Sequence, residues 1–384
     1  MHRMRRRFHL PGQPVRTYRG WRPPLCGLSK DVYPHLRVRR LSDSENLLEV
    51  TDLKKYFPVQ KGLFRKVVGY IKAVDGVSFS IGAGETLGLV GESGCGKTTV
   101  GRMIMGAYRP TQGSIWFKPP NGSARVDLAA IEPSEMKPLR PYIQMVFQDP
   151  FASLNPRMTI REILAEPLVV NKVAKGHELE DRIRQLIELV GLQVYHLNRY
   201  PHAFSGGQRQ RISIARALAL YPKLLVADEP TSALDVSVQA QIINLALEIQ
   251  ERLGLAYLFI SHDLGLIRHF SQRIVLMYVG KVVEYAPAQN LFNQPRHPYT
   301  EALMSNVPST RPEMVGRKII LKGDPADPMN APSGCSFHPR CLYAQEVCSH
   351  VVPPLMEVDS GHLVACHFSD SLLLTGCDAL GCAL

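Results

Sequence analysis

The chain has 384 residues, enough for two or three domains around a large core, and its 45% hydrophobic and 21% charged content is that of an ordinary globular protein. It contains no run of 18 or more apolar residues, so a membrane-spanning helix is excluded and any membrane task needs a separate subunit. The formal net charge is +11, but residues 1–45 hold +8 of it, so the basic character belongs to a leader and not to a nucleic-acid-binding face.

That leader, residues 1–45, is rich in Arg and Pro and lacks the apolar centre of a secretory signal, so it reads as a disordered tail. Ordered sequence starts at Asn46–Leu53, an alternating strand-like stretch, and Val74–Ile81 continues in the same style before a Gly82–Glu85 turn. Thr86–Val90 is a short apolar strand that feeds a glycine-rich loop, and Val100–Met105 reads as the helix after it. From about 151 to 204 the pattern changes to Glu, Arg and Leu at helical period, a helical insertion between two halves of an α/β core. Alternation resumes with the strand Leu224–Ala227, a helix over Val236–Leu253 and the strand Ala256–Ile260. The core is expected to span 46–290. Residues 291–368 then form a small appendix that carries four of the eight cysteines, and 369–384 read as a frayed tail.

Gly91-Glu-Ser-Gly-Cys-Gly-Lys-Thr98 matches Gly-x4-Gly-Lys-Thr between a strand and a helix. Such a loop offers successive backbone N–H groups and a helix N-terminus to phosphate oxygens. Gly91, Glu92, Ser93, Gly94, Cys95, Gly96, Lys97, Thr98 and Thr99 are the candidate nucleotide-binding residues. Lys97 suits the terminal phosphates and the Thr98 hydroxyl suits Mg²⁺; Cys95 reads as filler. Leu224–Ala227 is apolar throughout, as a strand covered on both faces must be, and ends in Asp228 and Glu229. Asp228 is placed to hold Mg²⁺ and Glu229 to orient or deprotonate a water, although two carboxylates at a strand end could also cap the next helix.

Gly91–Thr98, Gln148, Ser205-Gly-Gly-Gln208, Asp228–Glu229, Asp235 and His262 follow in an order that resembles the motif series of ABC ATPases. The resemblance covers roughly residues 46–290. It implies an α/β fold: a RecA-like P-loop core with an antiparallel β subdomain and a helical insertion. It also implies that Glu229, His262 and Gln148 are catalytic, and that Thr98, Gln148 and Asp228 bind Mg²⁺. Ser205, Gly206, Gly207, Gln208 and Asp235 would then meet a second subunit across a dimer interface. The family stacks adenine on an aromatic of the first strand, where Phe57, or Tyr56 beside it, stands here. Phe204 occupies a signature position that is usually Leu.

Cys335, Cys341, Cys348 and Cys366 supply four thiols in a compact segment, which in a chain without an export signal points to metal rather than disulfides. Their spacing lacks the Cys-x2-Cys pairs of common zinc sites and favours a [4Fe–4S] cluster, with zinc, or cysteines that bind no metal, as the alternatives. Gly334–Cys341, Gly361–Cys366 and His297–Thr300 resemble the C-terminal extension of oligopeptide and dipeptide importer ATPases. That resemblance implies an ATP-hydrolysing subunit for di- and oligopeptide uptake, peripheral on the cytoplasmic face of the inner membrane. Its implied partners are a related second ATPase chain, two transmembrane permease subunits and, indirectly, an extracytoplasmic peptide-binding protein, with no nucleic acid. Nickel or glutathione import is the neighbouring reading, and a soluble nucleic-acid-associated ABC ATPase is the reading from another class.

Overall fold

The computed structural model describes residues 46–62, 64–120, 122–307 and 318–376. The basic leader, Cys26, Cys377 and Cys382 lie outside the described residues.

Among the described residues two sheets organise the fold. A smaller antiparallel sheet has the order β2-β1-β4-β5, formed by Asn46–Lys61 (β1), Lys66–Gly82 (β2), Gln112–Phe117 (β4) and Val126–Asp127 (β5). The larger has eight strands in the order β11-β12-β10-β9-β3-β8-β7-β6. Its parallel part is Ile143–Val146 (β6), Leu224–Asp228 (β7), Ala256–Ser261 (β8), Thr86–Val90 (β3) and Arg273–Tyr278 (β9). Lys281–Pro287 (β10), Met356–Asp359 (β11) and His362–Val364 (β12) continue it antiparallel.

The apolar runs have a direct physical reason. In β7, Leu224 and Val226 pack into one core and Leu225 and Ala227 into the other. In β8, Leu258 and Ile260 are likewise set against Tyr257 and Phe259. Successive side chains point to opposite faces of a strand, and both faces are covered, so neither set can be polar. One core lies towards the small sheet and the helix Lys97–Ile104. The other takes the insertion, the helices Val236–Leu253 and Leu264–Phe270, and the extension.

Several expectations need adjustment. The first two strands run far past Leu53 and start well before Val74, because each is completed by pairing with the other in a long ladder. The helix after the phosphate loop begins at Lys97, not Val100, because Gly96 in a left-handed conformation turns the chain straight into it. The insertion contains Ile160–Val170 and Gly176–Leu189, the first opened by a capping box of Thr159 and Glu162. The two are joined by the Arg161–Glu180 ion pair. The last residues are not frayed as far as they are described: Ser369 is buried, and Thr375 N–H donates to the Glu301 carboxylate at 2.7 Å.

The extension is part of the sheet, not an appendix hanging from it. Its β12 pairs with β10, and Glu284 of β10 is the joint. This carboxylate is fully buried and accepts from Arg296 N–H at 2.8 Å, His297 N–H at 3.0 Å, His362 Nε2 at 2.7 Å and the Thr300 hydroxyl. A buried charge is tolerable only with this many donors.

Candidate active site

The phosphate loop leaves β3 at Gly91 and enters the helix at Lys97. Two of its glycines are required by close backbone approach. A Cβ on Gly91 would stand 2.2 Å from the Met277 carbonyl oxygen, and one on Gly96 would stand 2.0 Å from that of Ala73. Both also have positive φ, 157° and 106°.

Lys97 is buried at the base of the loop, where its ammonium donates to the Gly91 and Glu92 carbonyls at 2.7 and 2.9 Å. It lies 4.0 Å from a Glu229 oxygen. The Thr98 hydroxyl donates to Asp228 Oδ1 at 2.9 Å, which puts the two expected Mg²⁺ ligands in contact. Burial pushes the Asp228 carboxyl pKa up, opposed by the Thr98 hydrogen bond and reinforced by the Glu229 charge. A divalent cation would relieve that penalty, so the donor set fits one. Cys95 packs into the core beneath the loop, and burial raises its thiol pKa.

Glu229 is the meeting point. Its backbone holds a positive φ of 44°, just after the strand, with its N–H bonded to the Ile260 carbonyl at 2.9 Å. Gln148 Nε2 donates to Glu229 Oε2 at 3.0 Å, and His262 Nδ1 lies 3.3 Å from the same oxygen. Three separate loops thus bring Lys97, Gln148 and His262 around one carboxylate. The helix-cap alternative does not describe Glu229; the cap of Val236–Leu253 is Asp235, whose carboxylate accepts from Val238 N–H at 2.9 Å and from the Ser237 hydroxyl at 2.7 Å.

The signature segment is elsewhere. Ser205 caps the helix Gly206–Leu218 in a box with Gln208, and among the described residues no hydrogen bond or ion pair joins Ser205–Gln208 or Asp235 to the phosphate loop. Gly207 packs so closely that an added Cβ would lie 2.4 Å from Val238 Cγ1. Phe204 is buried against His196. Of the two candidate adenine platforms, Tyr56 is engaged through its hydroxyl with Asp75 at 2.5 Å, and burial, reinforced by this bond, pushes its pKa up to about 12. Phe57 meets Tyr108 edge to face at 5.5 Å.

The four cysteines of the extension line one small apolar cavity, together with Phe337, Tyr343 and Phe368. Burial raises the thiol pKa of Cys335, that of Cys341 to about 12 and that of Cys366 to about 11. Backbone N–H groups of Phe337, His338, Tyr343 and Phe368 oppose the shifts. As they stand, the thiols do not make the expected assembled metal site: among the described residues no group of three or more His, Cys, Asp or Glu could hold a metal ion. The apolar lining favours the neutral thiol over the thiolate at Cys335, Cys341 and Cys366.

Sequence reasoning missed the contacts that tie the extension to the loop. Arg340 forms a two-pronged ion pair with Glu92, and Tyr299 Oη accepts from Glu92 N–H at 2.8 Å. Both residues lie inside segments that carry the resemblance to the importer extension, Gly334–Cys341 and His297–Thr300, and only the fold relates them to the loop.

The sequence profile of the ABC transporter family matches residues 74–232, and that of the oligopeptide/dipeptide transporter C-terminal region matches 283–348. The oligopeptide transport ATP-binding protein AppF of Bacillus subtilis is 51% identical over 85% of this chain and 98% of its own length. The chain belongs to the ATP-binding proteins of oligopeptide and dipeptide ABC transporters. The dipeptide transport ATP-binding proteins DppF of Haemophilus influenzae and Escherichia coli are 46% and 45% identical over 87% and 84% of this chain and 100% and 95% of theirs. A dimeric ATP-binding cassette solved in a post-hydrolysis state with ADP and phosphate superimposes with a TM-score of 0.54 at 28% identity, covering 63% of this peptide-transporter ATPase and 98% of the cassette. No helix among the described residues is long and apolar enough to cross a membrane.

Proposed function

We propose that this ATPase binds MgATP at 91–99, hydrolyses it with Glu229 as the water-directed base, and so energises uptake of di- and oligopeptides through separate permease subunits. The observation that carries the reading is the convergence of Lys97, Gln148 and His262 on Glu229 beside the Thr98–Asp228 pair. Lys97 would release its loop carbonyls to hold the terminal phosphates. Glu229 would take the proton of the attacking water, and Gln148 would orient that water. His262 would donate to the γ-phosphate. Mg²⁺, held by Thr98, Gln148 and Asp228, would neutralise charge on the phosphates. Ser205–Gln208 and Asp235, which among the described residues make no bond to their own loop, would complete the site of a second, related ATPase subunit. Adenine would stack on Phe57, since the Tyr56 hydroxyl is already committed to Asp75. The chain would work peripherally on the cytoplasmic face of the inner membrane.

The reading is tested by uptake of a labelled peptide in cells whose single copy of this chain is wild type or Lys97→Ala. Collapse of uptake at equal protein level is the expected result; unchanged uptake refutes the peptide assignment.

Cys335, Cys341, Cys348 and Cys366 are read as ligands of a [4Fe–4S] cluster that pins the small extension. Support comes from their shared cavity and from the N–H groups aimed at the sulfurs, such as Phe368 N–H on Cys366 Sγ at 3.4 Å. Anaerobically purified protein should contain about four iron and four sulfide per chain; stoichiometric zinc without iron refutes the cluster.

A further inference from the structure

Glu92, the second residue of the phosphate loop, is held at each of its polar groups, and two of the three holds come from the extension. Its carboxylate receives Arg340 Nη1 at 2.6 Å and Nη2 at 3.0 Å. Its N–H donates to Tyr299 Oη at 2.8 Å, and its carbonyl accepts from Lys97 Nζ at 2.9 Å. Arg340 and Tyr299 lie 248 and 207 residues further along the chain, so this is not a local turn. The Arg340 side chain is 8% exposed and that of Glu92 24%, so salt screens the pair less than it would an exposed one. A two-pronged guanidinium–carboxylate pair fixes direction as well as distance, which a lysine cannot reproduce.

Both residues are packed from behind. Tyr278, Tyr299 and Phe337 pack edge to face with ring centroids 5.0 to 5.4 Å apart. Arg340 ends the short turn His338–Arg340 and is bonded directly to Cys341, whose N–H closes on the His338 carbonyl at 3.2 Å. One residue therefore separates the thiol cavity from the phosphate loop. The loop is also flanked by Pro325–Pro328 of the extension across a cavity lined by Glu92, Ser93 and Gly94. If Glu92 shifts, the carbonyl that anchors Lys97 shifts with it.

We infer that Arg340 and Tyr299 are positioning residues for the ATP site: they fix the phosphate loop through Glu92, so that correct docking of the cysteine-bearing extension sets nucleotide affinity. This rests on the ATPase reading above. The test is a double-mutant cycle in the full-length chain with Glu92→Gln and Arg340→Met. ATP affinity is read by displacement of a fluorescent ATP analogue, and turnover by phosphate release. Each single change should raise Kd and KM for ATP about tenfold, the effect of losing one charge-assisted hydrogen-bonded pair, with a much smaller fall in kcat. The double variant should be no worse than the weaker single, because both remove the same contact. Arg340→Lys should fall between wild type and Arg340→Met, and Tyr299→Phe should weaken ATP about threefold while keeping its packing. A mere staple would lower the melting temperature and leave KM alone. Unchanged KM in folded Arg340→Lys and Tyr299→Phe, or additive effects in the cycle, overturns the inference. A wild-type chain that neither binds nor hydrolyses ATP overturns the ATPase reading itself, and the inference with it.

Discussion

Acid should loosen the extension from the core through one histidine. His297 is 1% exposed and caps the helix Pro298–Met304, with Nδ1 accepting from Tyr299 N–H at 3.0 Å. An acceptor nitrogen must be unprotonated, and burial lowers the pKa from 6.5 to about 3. Between these values the unfolded chain binds a proton that the folded chain does not, so stability is present above pH 6.5 and is lost as pH falls towards 3. At pH 5 the difference amounts to about 2 kcal/mol, from roughly 1.4 kcal/mol per pH unit over the 1.5 units below the unfolded pKa. His297→Asn keeps a capping oxygen and removes the titration. Urea denaturation midpoints of the two proteins, followed from pH 8 to pH 5, should diverge, with the wild type losing about 2 kcal/mol more than the variant. Parallel profiles would show that His297 does not titrate in this way and would refute the reasoning.

Two further outcomes follow from packing and charge. Gly207→Ala forces a Cβ against Val238 Cγ1, a stiff β-branched side chain on a helix, and should cost about 1–3 kcal/mol in thermal stability; an unchanged melting temperature would mean that Val238 moves freely. His362→Ala removes one of the four donors to buried Glu284 and should destabilise by about 3 kcal/mol, and limited proteolysis should then cut within 291–368 before the core. Equal protection of both regions would argue against Glu284 as the joint of the extension.

Local pattern reached the parts of the fold that local chemistry decides. The loop 91–98 is legible because its glycines, lysine and threonine must lie within a few bonds of each other, and the helix Val236–Leu253 because it is amphipathic and ends at Gly254, which adopts a left-handed conformation. Asp228 and Glu229 are legible as a pair because they end an apolar strand in a chain that also carries the glycine-rich loop, and the fold sets Asp228 on Thr98 and Glu229 near Lys97. The lengths of β1 and β2 were not, since ladder pairing between 46–61 and 66–82 decides where each strand stops. Glu284 was hidden for a different reason: nothing in Val282–Ala286 shows that four donors from the extension will surround it. The Arg340–Glu92 pair was likewise invisible, because two charged residues 248 apart in sequence meet only once the extension has docked.

Under the proposed function Glu229 directs water at ATP held by the loop of one subunit and the signature segment of another. The decisive experiment is Glu229→Gln, with ATP turnover and subunit association measured on the same preparation. Turnover should fall at least about 100-fold, the usual effect of removing a general base, while MgATP binding persists and traps an associated pair. Hydrolysis at the wild-type rate by the Glu229→Gln protein would contradict the assignment.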